Sequence, residues 1–209
     1  MQVLVNDNSF DQFASKALIH KYENSMSPTQ FRQIKREYYK IFDSAKLSKI
    51  NISKFEYIVK QHFRNNFTQK TVSNLFHKVK INNEQYISTT DGDICLEILD
   101  SYGDSYKRII LDTLQKTENV TLNMIDGSNL PQATAYRKIR ELITSGLLVP
   151  NGKMSKGDGR KTITYETLLE SLHISINGGD VQVYFIVKDK FLLNSFIYEL
   201  SNKKIKLYE

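Results

Sequence analysis

Apolar positions along the chain follow two rhythms, and the change from one to the other marks its elements. Phe10, Phe13, Ala14, Ala17 and Leu18 recur every three or four residues, which predicts a short amphipathic helix. Ser27-Pro28-Thr29-Gln30 is a capping box, with a serine cap, proline at the first helical position and glutamine three residues on. It opens a helix predicted to reach about Lys46, burying Phe31, Ile34, Tyr38, Ile41 and Phe42. A second box, Ser53-Lys54-Phe55-Glu56, opens a helix to about Phe63. Thr68 caps a third with Val72, Leu75, Phe76 and Val79, broken by Asn82 and Asn83. A short strand is predicted from Gln85 to Ser88. Thr90-Asp91-Gly92-Asp93 then opens a helix with Ile94, Leu96, Ile98 and Leu99.

The pattern restarts near Gly103 and Asp104. Tyr106, Ile109, Ile110 and Leu114 mark a helix ending near Lys116. Thr121 to Asp126 reads as a short helix, and Gly127-Ser128-Asn129 as a turn. Pro131 opens the next helix, whose buried face is Ala135, Ile139 and Leu142, and Gly146 ends it. Leu147-Leu148-Val149 and Thr162-Ile163-Thr164-Tyr165 are strands of a hairpin around the basic, turn-rich tip NGKMSKGDGR, residues 151–160. Leu172, Ile174 and Ile176, then Val181, Val183, Phe185 and Val187, alternate with other residues on either side of Asn177-Gly178-Gly179-Asp180, a second hairpin. Asp189 caps a last helix with Leu192, Leu193, Phe196, Ile197 and Leu200. The fold class is therefore α+β, mainly α, divided into 1–102, a helical N-terminal domain, and 103–209.

The helix after Pro131 carries an unusual outer face. Opposite its apolar stripe stand Gln132, Thr134, Tyr136, Arg137 and Arg140, with Glu141 as the nearby acid. The hairpin that follows adds Lys153, Lys156, Arg160 and Lys161 against Asp158. Short residues near the helix start let a backbone approach a base edge. Glutamine matches adenine and arginine matches guanine in a major groove about 12 Å wide, which admits one helix. Glycines at the hairpin tip permit close approach to a sugar-phosphate backbone.

Three helices and a hairpin, from Tyr106 to Tyr165, follow the winged helix-turn-helix order. Asn129 stands where the tight turn wants a left-handed residue. The run TLNMIDGSNLPQATAYRKIRELITSGLLV resembles the helix-turn-helix of archaeal and bacterial winged-helix transcription regulators, over about residues 104 to 167. That resemblance implies double-stranded DNA binding, with the helix from Pro131 in the major groove and the hairpin as a wing. The nine polar and basic residues named above are then the contacts. A fainter copy lies in the N-terminal half, where Tyr86, Thr89 and Gly92 match a Tyr-x-x-Thr-x-x-Gly run of winged-helix domains. Its reading helix would offer Gln69, Lys70, Ser73, Asn74, His77 and Lys78. Its wing would be very short, near Asn82 to Gln85, and the loop before it carries no arginine, so a helical dimerisation or accessory domain stands beside the tandem reading.

Composition narrows the picture less. The 209 residues are 40% hydrophobic and 25% charged, an ordinary globular balance, with net charge +6. The basic balance suits a polyanionic partner. Cys95 is the single cysteine, so no internal disulfide forms, and His20, His62, His77 and His173 show no ligand spacing. No cofactor, metal or catalytic constellation is expected. The start MQVLVNDNSF lacks the features of a signal peptide, and no apolar run suits a bilayer span, so a cytoplasmic protein is expected. The glycine- and lysine-containing tip lacks the spacing of a phosphate-binding loop. The leading reading is a sequence-specific transcription regulator, paired as a homodimer through the Leu192–Leu200 stripe or the N-terminal half. The rivals are a winged helix used for protein contact within transcription machinery, and a plasmid-type replication initiator.

Overall fold

In the computed structural model the residues described are 9–42, 52–62, 71, 75–116, 120–121, 131–155, 161–193, 195 and 197–199. The chain is α+β and mainly helical, with antiparallel sheets. Helices α1 (Ser9–Ser25), α2 (Pro28–Phe42) and α3 (Ile52–His62) come first. A hairpin of β1 (His77–Ile81) and β2 (Glu84–Thr89) follows, then α4 (Gly92–Gly103) and α5 (Ser105–Lys116). Beyond lie β3 (Val120–Thr121), α6 (Gln132–Ser145), β4 (Leu148–Ser155), β5 (Lys161–Thr167), β6 (Leu169–Asn177), β7 (Asp180–Val187) and the short α7 (Asp189–Leu192).

Local chemistry explains most helix starts. At α2 the Ser27 and Gln30 side chains exchange bonds with each other's backbone: Ser27 N donates to Gln30 Oε1 at 3.0 Å, and Gln30 N to Ser27 Oγ at 3.3 Å. Asp91 caps α4, accepting from Ile94 N at 3.2 Å. At α3 the helix includes Ile52, so Ser53 lies inside it and is not its cap. The buried carboxylate of Glu56 answers Lys60 at 2.8 Å. Pro131 likewise stands one position outside α6, as its cap.

Three expectations change. His77–Ile81, read as the end of a helix, is a strand. Asn82 and Asn83 both have positive φ (49° and 69°), which is the twist a two-residue hairpin needs, and they turn the chain back onto β2. Leu75, Phe76 and Val79 fit helical spacing, but Val79 and Ile81 alternate with Lys78 and Lys80 just as well. Thr121, expected to start a short helix to Asp126, is paired with Thr164 in a strand; the rest of that expected helix and the turn Gly127-Ser128-Asn129 lie outside the described residues. The C-terminal stripe divides between core and surface. Ile197 is fully buried and Leu192 packs on the core, while Leu193 is exposed. Phe196 and Leu200 lie outside the described residues, as do Thr68, Gln69, Lys70, Val72, Ser73 and Asn74.

The sheets bind distant parts of the chain. One has the order β3-β5-β4, and the other β1-β2-β7-β6. In the second, Ile87, Ser88 and Thr89 pair with Phe185, Tyr184 and Val183. This ladder crosses the 102/103 division. The C-terminal hairpin completes the sheet of the N-terminal residues, and residues 104–167 are inserted between the two halves of that sheet. A continuous apolar cluster runs beneath both. Phe13 of α1 meets Phe185 edge-on, with ring centres 6.0 Å apart, and Phe76 meets Phe185 in the same way at 6.2 Å. Buried Asp11 ties down the chain end. It accepts from Ser195 Oγ at 2.6 Å and from Ile197 N at 3.0 Å, while Ser195 Oγ accepts from Tyr198 N at 3.0 Å.

Candidate nucleic-acid interface

The period of α6 separates its two faces. Ala135, Ile139 and Leu142 are buried, fixing the helix on the apolar side of α5 and β4. Gln132, Ala133, Tyr136, Arg137 and Arg140 are exposed on the other side, and Thr134 is half-buried. Burial, with Tyr136 close by, pushes the Tyr165 hydroxyl above its ordinary range.

The hairpin beside α6 is longer than the sequence suggests, because strand pairing continues to Ser155 opposite Lys161. A bulge between Pro150 and Gly152 bends β4 just where proline cannot donate to the ladder. Lys153, opposite Ile163, and Lys161 are exposed, as are Met154 and Ile163. Lys156 and Arg160 lie outside the described residues. Seven of the nine expected contacts are thus placed, and they fall on α6 and on one hairpin.

Ion pairs sort the cations of α6. Lys138 is held by Asp104 at 2.6 Å and Glu141 at 3.2 Å, with its side chain largely covered. That pairing holds the Asp104 carboxyl below, and the Lys138 ammonium above, their ordinary ranges. Lys107 is buried, which works against its charge, but Asp100 at 2.5 Å and Glu141 at 3.4 Å outweigh burial and raise its pKa. Glu141 therefore already answers two lysines. Arg137, its side chain 68% exposed, reaches Glu141 only at 3.9 Å, so its charge stays directed outward. Arg140 has no ion-pair partner among the described residues. Among the helix's cations, Arg137 and Arg140 are those free to meet an anion.

Sequence reasoning missed a cavity of about 650 Å³ between α1, α4 and the outer face of α6. Phe13, Ala17, Ile19 and Ile94 line it with apolar surface, and Arg137, Arg140 and Lys107 border it. It exists because α1 docks on the end of α6. Gly146 closes that helix in the left-handed region at φ +80°, and a Cβ placed there would lie 2.8 Å from Phe13 N. Gln12 Nε2 donates to Ile143 O at 2.9 Å across the same junction. No spacing within one segment signals such a cavity, since its walls come from helices far apart in the sequence.

Among the described residues, no helix is long and apolar enough to cross a membrane, and no cluster of His, Cys, Asp and Glu is arranged to hold a metal. Comparison with known proteins returns no matching family model, no matching curated protein and no matching solved structure.

Proposed function

We propose that residues 104–167 form a winged helix-turn-helix unit that binds double-stranded DNA in a sequence-specific way, and that the protein regulates transcription. The order α5, β3, α6, β4, β5 and the strand order β3-β5-β4 support this reading. The observation that carries it is the outward pair Arg137 and Arg140 on α6, beside a hairpin with exposed Lys153 and Lys161. In this reading the start of α6, with Gln132, Ala133 and Thr134, enters the major groove. Arg137 reaches a base edge, Arg140 a phosphate, and the hairpin grips the adjacent backbone. The proposal is made for the inserted unit. The N-terminal copy lacks a reading helix through Lys78, because His77 and Lys78 stand in β1.

Selection on random duplex DNA, followed by Arg137→Ala on the selected site, tests the proposal. The variant should lose roughly 1–3 kcal/mol on that site and much less on scrambled duplex. Equal loss on both reassigns Arg137 to phosphate. No duplex binding at moderate salt leaves the fold to protein contact instead. Lys153→Ala and Lys161→Ala should weaken all sequences alike and each reduce the slope of log affinity against log salt by about one. An unchanged slope removes the hairpin from the backbone.

The proposal includes a homodimer, since a single module buries little surface on DNA. Its contact is assigned to the distal β6–β7 hairpin and not to the chain-end stripe. Ile174 and Ile176 lie on the face that carries Phe185 and Val183 into the core, yet they are 37% and 67% exposed. From Leu172 to Asn177 this edge strand has neither lysine nor proline to discourage pairing. Light scattering at micromolar concentration should report a dimer that Ile174→Lys with Ile176→Lys converts to monomer. A wild-type monomer, or a doubly substituted dimer, refutes this contact.

A further inference from the structure

We propose that the cavity between α1, α4 and α6 is a binding site for a small amphipathic organic anion, and that its occupant and DNA compete for Arg137 and Arg140. The second half of this statement rests on the DNA-binding reading above; the first does not.

The volume, about 650 Å³, falls in the range that encloses a drug-sized molecule, roughly 300–1,000 Å³. The lining divides into two parts. Phe13, Ala17, Ile19 and Ile94 form an apolar floor suited to a hydrocarbon or aromatic body. The charged groups determine the sign of the head group. Three carboxylates face the cavity, and each is already answered. Asp93 accepts a 2.5 Å hydrogen bond from His20, which together with the Asp93 charge raises the His20 pKa. Glu97 is 3.5 Å from Lys16. Glu141 is shared by Lys107 and Lys138. On the cationic side Arg140 has no ion-pair partner among the described residues, and Arg137 has only its 3.9 Å approach to Glu141. The uncompensated charge at the rim is therefore positive, and its guanidinium groups suit a carboxylate or sulfonate bound at two oxygens.

The same two arginines belong to the outer face of α6. A bound anion draws them back over the cavity, and DNA draws them outward. A ligand whose binding needs the arrangement that DNA removes lowers DNA affinity by the same factor that DNA lowers ligand affinity. This places an effector-released mode of regulation on α6 itself.

The probe is 8-anilinonaphthalene-1-sulfonate, an aromatic sulfonate whose fluorescence rises in apolar surroundings. Titration of the free 209-residue protein should show one saturable site per chain. Arg140→Ala should weaken it about tenfold or more, Arg140→Lys should restore part of the loss, and Thr144→Trp, which fills the cavity mouth, should abolish it. N-phenyl-1-naphthylamine, which lacks the sulfonate, should bind at least about tenfold more weakly. Circular dichroism and the thermal midpoint of each variant keep folding defects apart from site defects. Wild-type binding in Arg140→Ala or Thr144→Trp, or equal binding of the neutral compound, overturns the site. With the site established, saturating duplex DNA should displace the dye; dye and DNA bound together overturn the competition. A protein that binds dye as described but no DNA removes the DNA-binding reading while leaving the site intact, so the two failures are distinct.

Discussion

Gly146→Ala is expected to cost roughly 2–6 kcal/mol, the sum of a left-handed alanine and an overpacked contact. The backbone there has φ +80°, and the new methyl would lie 2.8 Å from Phe13 N and 2.9 Å from Phe13 Cα. Both are main-chain atoms of α1, so no side-chain rotation relieves the clash, and α1 must lift from the end of α6. The thermal midpoint should fall by about 2–4 °C for each kcal/mol lost. Gly178→Ala is the control. Its φ is also positive, +58°, but nothing lies within 4 Å of the added methyl, so it carries the backbone cost alone. The difference between the two variants isolates the α1–α6 contact. Equal losses would show that α1 does not dock as described. Asparagine tolerates left-handed backbone, yet Gly146→Asn should be no better than alanine because the clash with Phe13 remains.

Asp11→Ala is expected to destabilise the protein by on the order of 3 kcal/mol, since it strands buried donors that had a charged acceptor. Asp11 is 6% exposed and Ser195 and Ile197 are fully buried. Removing the carboxylate leaves the Ser195 hydroxyl and the Ile197 N–H with no carboxylate to accept them. Solvent reaches them only if the segment from Ser195 to Glu199 loosens. Limited proteolysis should therefore cut the variant near its C-terminus before the core opens, and urea denaturation should show the lower midpoint. Asp11→Asn keeps an acceptor and should lose less. Wild-type resistance to cleavage in Asp11→Ala would show that the aspartate does not anchor the chain end.

Within single elements much of this molecule was legible. Ala135, Ile139 and Leu142 announced the buried side of α6, and Gly146 its left-handed end. The alternation through Leu172–Ile176 and Val181–Val187 announced the β6–β7 hairpin. Across elements legibility failed, because hydrophobic pattern fixes the face a strand buries but not the strand beside it. Nothing in Ile87 or Phe185 says that they pair. Tyr106 and Ile109 were read among the apolar positions that mark α5, and Lys107 between them was given no role. Both are exposed while Lys107 is buried, because Asp100 and Glu141 from other helices pair with the lysine. The candidate interface was legible where it lies on one helix and one hairpin. The cavity beside it was not, since Phe13 and Arg140 come together only in three dimensions.

The pairing of Thr89 with Val183 also sets a timetable for synthesis. At about 5–20 residues per second, β2 leaves the ribosome on the order of 5–20 s before β7 arrives to cover it. During that interval the inserted unit, residues 104–167, is made in full, while β2 waits with one edge unpaired. An open edge recruits other strands. A nascent chain that stalls between Thr167 and Asp180 is therefore the species most in need of a chaperone, although every residue of the inserted unit has already been made.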